Sequence, residues 1–295
     1  MKLRIGTRGS KLALWQAHHT QSLLLEHGIE SELVVIKTKG DKIQHLSFDK
    51  IEGKGFFTKE IEEALLAKEV DLAVHSMKDL PTSHPEGLVI TAVSKRANPA
   101  DWLLLRRETA VTGKLMQLPE GATVGTSSAR RKAQLLHYRP DLSLTDIRGN
   151  VPTRLQKLRD GLCDGIVLAA AGLERLELDL SDFVVQKFSP REFVSAPAQG
   201  VLAWQTRTDD LPTRRLLKLL HQSATSAATN VERRVLRLFD GGCQLPLGVY
   251  CQRDQMGHYH VWAARAESWD GEVKYTRYSQ GTTSGLAERV VEQLT

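Results

Sequence analysis

Short apolar runs bounded by polar turns alternate along this chain with segments whose apolar residues recur every three to four positions. The rhythm holds up to about residue 222. Residues 3–6 predict a strand. Residues 11–27 predict a helix with Leu12, Trp15 and Leu23 in one arc, ended by Gly28. Residues 33–38 are β-rich. Residues 57–68 turn Phe57, Ile61, Ala64 and Leu65 to one side, ahead of a buried strand over 71–75. A second set follows the same order: strand 122–126, helix 128–138, strand 142–147, helix 151–160, strand 165–170. Such alternation predicts parallel sheets covered by helices on both faces.

The two sets echo each other. "IGTRGS" and "VGTSSARR" each end a strand in Gly-Thr and put hydroxyls at a helix start, and "VDLAVHSM" and "CDGIVLAA" each form a later strand introduced by an aspartate. The spacings differ, so this is a pair of related lobes and not a tandem repeat. The tail differs in kind. A helix at about 224–239 groups Val231, Val235 and Leu238. Runs near 245–252, 258–267 and 272–279 then predict an antiparallel meander closed by a helix at 284–294.

At 295 residues the chain is long for one core, and two or three domains are expected. The net charge of +5 is too small to indicate nucleic acid, but it suits an anionic ligand if the cations converge. Cys163, Cys243 and Cys251 are odd in number and lack framework or zinc spacing, which predicts reduced thiols in a cytoplasm and no metal. No secretory signal is visible, and no apolar stretch is long enough to span a bilayer, so no membrane association is expected.

Ligands of open α/β sheets bind beyond the carboxyl ends of the strands. Four such ends carry unusual residues here: Arg8 with Ser10, Lys78 with Asp79, Thr126 to Arg131, and Arg148 with Arg154. Each alone reads as a cap or a solvated charge, whereas four together predict a site for carboxylate or phosphate. No GxxxxGK[ST] occurs and no GxGxxG follows a strand, so a nucleotide cofactor is poorly supported. The stretch "LFDGGCQLPLGVY" raises a further question, because it sets Cys243 directly after two glycines, where a helical pattern gives way to a strand-like one.

"TRGSKLALWQA", "GDK", "GKGFFTKE", "AVHSMKDLP", "VGTSSARRKAQLL", "IRGNVPTRL", "AAAGLERL" and "GGCQLPLGVY" resemble, in order, the motifs of the porphobilinogen deaminase (hydroxymethylbilane synthase) family. The resemblance runs from residue 3 to about 250. It implies two related periplasmic-binding-protein-like βα lobes plus a small C-terminal α+β domain. The expected divisions are 1–97 with 199–221, 98–198, and 222–295. It implies head-to-tail condensation of porphobilinogen units with loss of ammonia, and hydrolytic release of the linear tetrapyrrole, by a cytoplasmic monomer in haem biosynthesis.

By the same resemblance Cys243 carries a dipyrromethane cofactor through a thioether. A thiolate is a soft nucleophile suited to an electrophilic methylene, and Gly241 and Gly242 would supply the positive-φ turn that projects it. Asp79 is the implied catalytic carboxylate, stabilising a cationic methylene-pyrrolenine and passing a proton to the departing amine. Lys54, Ser76, Lys78, Thr126, Ser127, Ser128, Arg130 and Arg131 are implied on the cofactor, and Arg8, Ser10, Arg148, Arg154 and Arg175 on the substrate and growing polypyrrole. The acetate and propionate arms of the rings would be their targets. His75 reads as a packed strand histidine. Because neighbouring strand residues face opposite ways, Lys78 and Asp79 need not pair.

"SAPAQGVLAWQTR" departs from the family pattern, being two residues shorter and carrying Gln205 where an acidic residue is common. Two other classes fit parts of the sequence. A bilobal anion-binding protein would share the architecture but needs no cysteine on a Gly-Gly turn. A cysteine hydrolase would need a histidine base, which none of the ten histidines is marked out to be.

Overall fold

The computed structural model describes residues 2–38, 58–241 and 245–295. The chain divides into two compact units, Met1–Ala97 with Gly200–Ala227 and Asn98–Gln199 with Ala228–Thr295.

The first unit is built from β1 (Leu3–Thr7), α1 (Lys11–Glu26), β2 (Ser31–Val35), α2 (Lys59–Leu66), β3 (Leu72–Ser76), β4 (Leu88–Val93), β10 (Leu202–Arg207) and α6 (Leu211–Leu217). Its sheet has the order β2-β1-β3-β10-β4. Alternating strand residues feed opposite faces. Leu72, Val74 and Trp204 pack with Ala17 and Leu24 of α1, whereas Ala73 packs with Ile61, Ala64 and Leu65 of α2. Both faces are therefore covered, as the sequence rhythm predicts.

The second unit repeats the plan with β5 (Asp101–Arg106), β6 (Thr123–Gly125), α3 (Ala129–Tyr138), β7 (Ser143–Thr145), α4 (Val151–Arg159), β8 (Gly165–Ala169), α5 (Ala170–Arg175) and β9 (Phe183–Lys187). The sheet order is β7-β6-β8-β5-β9. Trp102 and Leu104 face Leu155 and Leu158 of α4, and Leu103 and Leu105 face Leu135 of α3. The echoed aspartates perform one task in both units. Asp71 Oδ2 accepts from the backbone N of Arg4 at 2.9 Å, and Asp164 Oδ2 accepts from that of Thr123 at 2.8 Å.

Two expectations are corrected. The sheets are mixed, because β10 runs antiparallel to β3 and β4, and β5 antiparallel to β8 and β9. Each starts beside the carboxyl end of a strand of the parallel set, Leu202 opposite Ser76 of β3 and Asp101 opposite Ala169 of β8, and so runs the opposite way. The buried residues of α1 are Gln16, Ala17, Thr20 and Leu24; of the predicted arc, Leu23 packs half-buried against the same core, and Leu12 and Trp15 are only half-buried. The polar members are satisfied inside: Gln16 Nε2 donates to Ser76 Oγ at 2.8 Å, and Trp204 Nε1 donates to Thr20 Oγ1 at 2.9 Å.

The tail forms the expected meander, β11 (Leu247–Arg253), β12 (Tyr259–Arg265) and β13 (Lys274–Gln280), an antiparallel sheet in that order. Val231 and Val235 of α7 (Ser223–Leu238) and Leu286, Val290 and Leu294 of α8 (Leu286–Leu294) pack on Val249, Cys251 and Val261 of this sheet. No described helix is long and apolar enough to cross a membrane.

Candidate cofactor and substrate site

In the first unit β1 and β3 are parallel neighbours, so their carboxyl ends lie at one sheet edge. Half-buried Arg8 follows β1. Ser10 is the N-cap of α1, its hydroxyl accepting from Ala13 N at 3.3 Å. Beyond Ser76 the chain makes one 3-10 turn, Met77–Asp79. This corrects the strand-alternation argument for Lys78 and Asp79, since side chains in a 3-10 turn advance by about 120° per residue. Met77 is the anchor: its side chain is buried and its N–H donates to Val201 O at 2.9 Å. Lys78 is left half-buried and Asp79 exposed.

His75 is the packed strand histidine expected from sequence. It is sealed in the unit with Nε2 3.1 Å from Gln205 Oε1. Gln205 Nε2 donates in turn to Glu62 Oε1 at 2.9 Å, and Thr58 Oγ1 donates to Glu62 Oε2. With the Gln205 amide nitrogen committed to Glu62, its oxygen must accept, which places the proton on His75 Nε2. Burial pushes His75 down to about 4 and pushes Glu62 up.

The second unit gathers its candidates beyond β6, β7 and β8. Ser127 Oγ donates to Ile147 O at 3.0 Å, and Ser128 caps α3 by accepting from Arg131 N. Thr126 is buried and its Oγ1 accepts from Ser128 N at 3.3 Å. Arg154 Nε donates to Gly149 O at 2.8 Å. Gly149 is needed there: its φ is 112°, and a Cβ would lie 2.7 Å from Thr153 Cγ2. Arg148 is half-buried in the same loop. Arg175, the last residue of α5, is pushed down to about 10 by burial.

Arg130 and Arg131 stand apart because they are buried, with 5% and 7% exposure. Asp101, fully buried at the start of β5, takes Arg130 Nη2 at 2.8 Å on Oδ2 and Arg131 Nη2 at 2.7 Å on Oδ1. The other Nη atoms donate to Val194 O (2.8 Å) and Val167 O (2.9 Å). Burial lowers Arg130 from the usual guanidinium range, with the Asp101 charge opposing it. Arg131 Nε is buried without a partner among the described residues. Two guanidiniums on one carboxylate leave a net charge of +1. Sequence reasoning missed Asp101, whose signal was an acid opening an otherwise apolar strand, "DWLLL".

Cys243 and Lys54 lie outside the described residues. Of the two glycines expected to supply the positive-φ turn, Gly241 does not take that conformation, which falls to Asp240 with φ 48°, and Gly242 lies outside the described residues. Gly241 serves close packing instead, since a Cβ there would lie 2.7 Å from Leu245 Cδ2 and 2.8 Å from Leu236 Cδ1. Cys163 and Cys251 are free thiols buried in the core. No cluster of three metal-ligating side chains occurs among the described residues.

Two mixed α/β lobes, each with cationic residues beyond the carboxyl ends of its parallel strands, define a bilobal protein suited to an anion. A sequence profile described as "Porphobilinogen deaminase, dipyromethane cofactor binding domain" matches residues 3–215. The porphobilinogen deaminase of Chloroherpeton thalassium is 45% identical over 272 residues, covering 92% of this chain and 84% of that one. The probable porphobilinogen deaminase of Methanocella arvoryzae is 49% identical over 251 residues, covering 85% and 80%. The chain therefore belongs to the porphobilinogen deaminase family of transferases. Solved structures with some likeness include an ABC-transporter periplasmic substrate-binding protein from Coxiella burnetii, 15% identical, with TM-score 0.45 over 76% of this chain and 94% of that one.

Proposed function

We propose that this chain is a hydroxymethylbilane synthase. In this reading it condenses porphobilinogen units head to tail with loss of ammonia, on a dipyrromethane joined to Cys243 by a thioether, and then releases hydroxymethylbilane by hydrolysis. The observation that supports the reading is the Arg130–Asp101–Arg131 group, a buried net cation beyond β6, with Arg148 and Arg154 following the parallel strand β7 and Arg175 ending the helix after β8. That donor set fits a polycarboxylate. The dipyrromethane supplies the pyrrole end onto which porphobilinogen is joined.

The chain's own residues have separable tasks. Arg130, Arg131, Arg148, Arg154 and Arg175, with Arg8, Lys54 and Lys78, hold the acetate and propionate arms. Charge-assisted hydrogen bonds contribute roughly 1.5–3 kcal/mol each, so a few retain the growing chain. Ser10, Ser76, Thr126, Ser127 and Ser128 add hydroxyl and backbone donors. Asp79 accepts from pyrrole N–H groups, stabilises positive charge beside them and moves a proton to the departing amine. The functional division is 1–97 with 199–221, 98–198, and 222–295, the last bearing Cys243. The protein acts as a cytoplasmic monomer, without nucleic acid or membrane.

Intact mass of the purified protein and of Cys243→Ser is the test, with ammonia release on adding porphobilinogen. The native protein should carry a dipyrromethane mass that maps to Cys243, and the variant should lack it. An adduct on Cys163 or Cys251, or none in active protein, overturns the assignment.

A further inference from the structure

In the second unit's segment from Val194 to Gln199, Val194, Ser195 and Ala198 are fully buried and Gln199 is 1% exposed, with Ala196 half-buried between them. Ala198 is also left-handed, with φ 61°, a conformation that carries a steric penalty for any residue with a Cβ. Such backbone persists only where its surroundings over-determine it, and it concentrates at functional sites. Here the determinant is Glu232 on α7, itself fully buried. Its Oε2 accepts from Ala198 N at 2.6 Å and its Oε1 from Cys251 N at 2.7 Å, tying the strained residue to α7 and β11.

Fixing Ala198 aims the next side chain. Gln199 Nε2 reaches Pro99 O at 2.8 Å, Ala100 O at 3.3 Å and Asp101 Oδ1 at 3.0 Å. That Oδ1 is the oxygen that also takes Arg131. The other end of the segment meets the pair as well: Val194 O accepts from both Arg130 Nη1 and Gln134 Nε2, and Val194 N donates to Gln134 Oε1 at 2.6 Å. The carboxylate that orients both guanidiniums is thus held by a side chain whose backbone is clamped from α7.

We propose that Glu232 is a positioning residue for the Arg130–Arg131 pair, acting through Ala198, Gln199 and Asp101. Its reach is indirect, and it touches no substrate. The proposal rests on the reading that this pair binds the carboxylate arms of pyrroles. An anion arriving at the pair competes with Asp101 for guanidinium N–H groups. Asp101 must therefore stay where both arginines keep donors turned to the arriving group, and geometry of this kind has to be held within about 0.5 Å to be effective.

The test uses the full chain freed of cofactor and titrated with porphobilinogen, with loading read by intact mass. Glu232→Gln leaves one oxygen for two backbone donors, and Gln199→Met removes the amide while keeping the length. Either variant should raise the porphobilinogen concentration for half-loading about tenfold, and KM by a similar factor, with kcat within about threefold of wild type. The double variant should add little further, because both changes break one path. If Glu232→Gln is recovered unfolded, Gln199→Met carries the same readouts alone. Unchanged half-loading and KM beside a lowered melting temperature overturns the proposal and leaves Glu232 purely structural. Wild-type protein that gains no pyrrole mass overturns the underlying reading, and the proposal with it.

Discussion

Arg130 Nη2 and Asp101 Oδ2 lie 2.8 Å apart at a point almost closed to water, and Arg131 shares the same carboxylate. Breaking a buried ion pair by removing one partner costs roughly 3–5 kcal/mol, because the remaining charge keeps its desolvation penalty. Asp101→Asn should therefore lose about that much stability, on the order of 10 °C in melting temperature. Replacing all three groups by apolar residues of similar volume, Asp101→Leu with Arg130→Met and Arg131→Leu, should recover much of the loss while abolishing uptake of porphobilinogen mass. Melting curves and intact-mass loading on the same samples separate the two effects. An Asp101→Asn protein that melts within 2 °C of wild type, on the scale of about 0.5 kcal/mol, would show that the guanidiniums do not depend on it. One consequence is that lowered stability in an Arg130 or Arg131 variant does not by itself argue against a binding role.

The cysteines give a second expected outcome. Cys163 and Cys251 are 3% and 2% exposed, and burial pushes the Cys163 thiol up. Alkylation needs an accessible thiolate. Iodoacetamide at neutral pH should leave both unmodified in the folded protein and label both after unfolding in guanidinium. Peptide mapping that finds native-state labelling at Cys163 would contradict its place in the core beside Ile147 and Ile166.

Element types were legible because local periodicity reports them directly. The strand expected over 71–75 and the helix expected at about 224–239 lie within a residue of Leu72–Ser76 and Ser223–Leu238. What spacing cannot report is who the partner is. Gln16 and Thr20 face inward only because Ser76 and Trp204, 60 and 184 positions away, meet them there. The strand β10 joins the first sheet after the whole of the second lobe has intervened, so its antiparallel sense is a tertiary fact. The arginines were legible as cations at loop ends, but their burial was not, since it depends on Asp101 some thirty residues upstream. Gly-Gly before Cys243 suggested glycines in the left-handed region; of the two, Gly241 is kept small by Leu236 and Leu245 while Asp240 takes the left-handed conformation.

A pH dependence follows from His75. Its folded value of about 4 lies below the ordinary 6.5, mainly because burial disfavours the cation. The unfolded chain binds the proton more readily, so stability rises with pH between those values. The His75 contribution is complete above about 6.5 and is lost as pH falls toward 4, with a ceiling of about 3 kcal/mol. Glu62, raised by burial, acts in the opposite sense above its unfolded value. Comparison with His75→Gln isolates the histidine, because glutamine keeps a donor toward Gln205 and does not titrate. Denaturant midpoints at pH 7.5 and pH 5 should converge for the variant relative to wild type. Equal acid sensitivity in both proteins would place the transition on other groups.

Asp79 is the last case, and the fold makes it a clean one. Its turn is held by the backbone of Met77, whose N–H binds Val201 O and whose own O accepts from Leu80 N. Asp79 itself is exposed. Asp79→Asn should therefore melt within about 2 °C of wild type, as exposed substitutions of similar size usually cost less than roughly 0.5 kcal/mol. What it removes is charge. If that charge stabilises a cation formed beside the pyrrole nitrogens, elongation should slow by roughly 10²–10³, or about 2.7–4 kcal/mol in barrier. Asp79→Glu keeps the charge one methylene further out and should retain part of the rate. Single-turnover elongation followed by mass spectrometry reads this directly, because each added pyrrole is a discrete mass step. A stalled ladder in Asp79→Asn, a slow one in Asp79→Glu and equal melting curves in all three proteins assign the carboxylate to the chemistry. Elongation at the wild-type rate in Asp79→Asn would leave the residue no more than an exposed side chain at the end of β3.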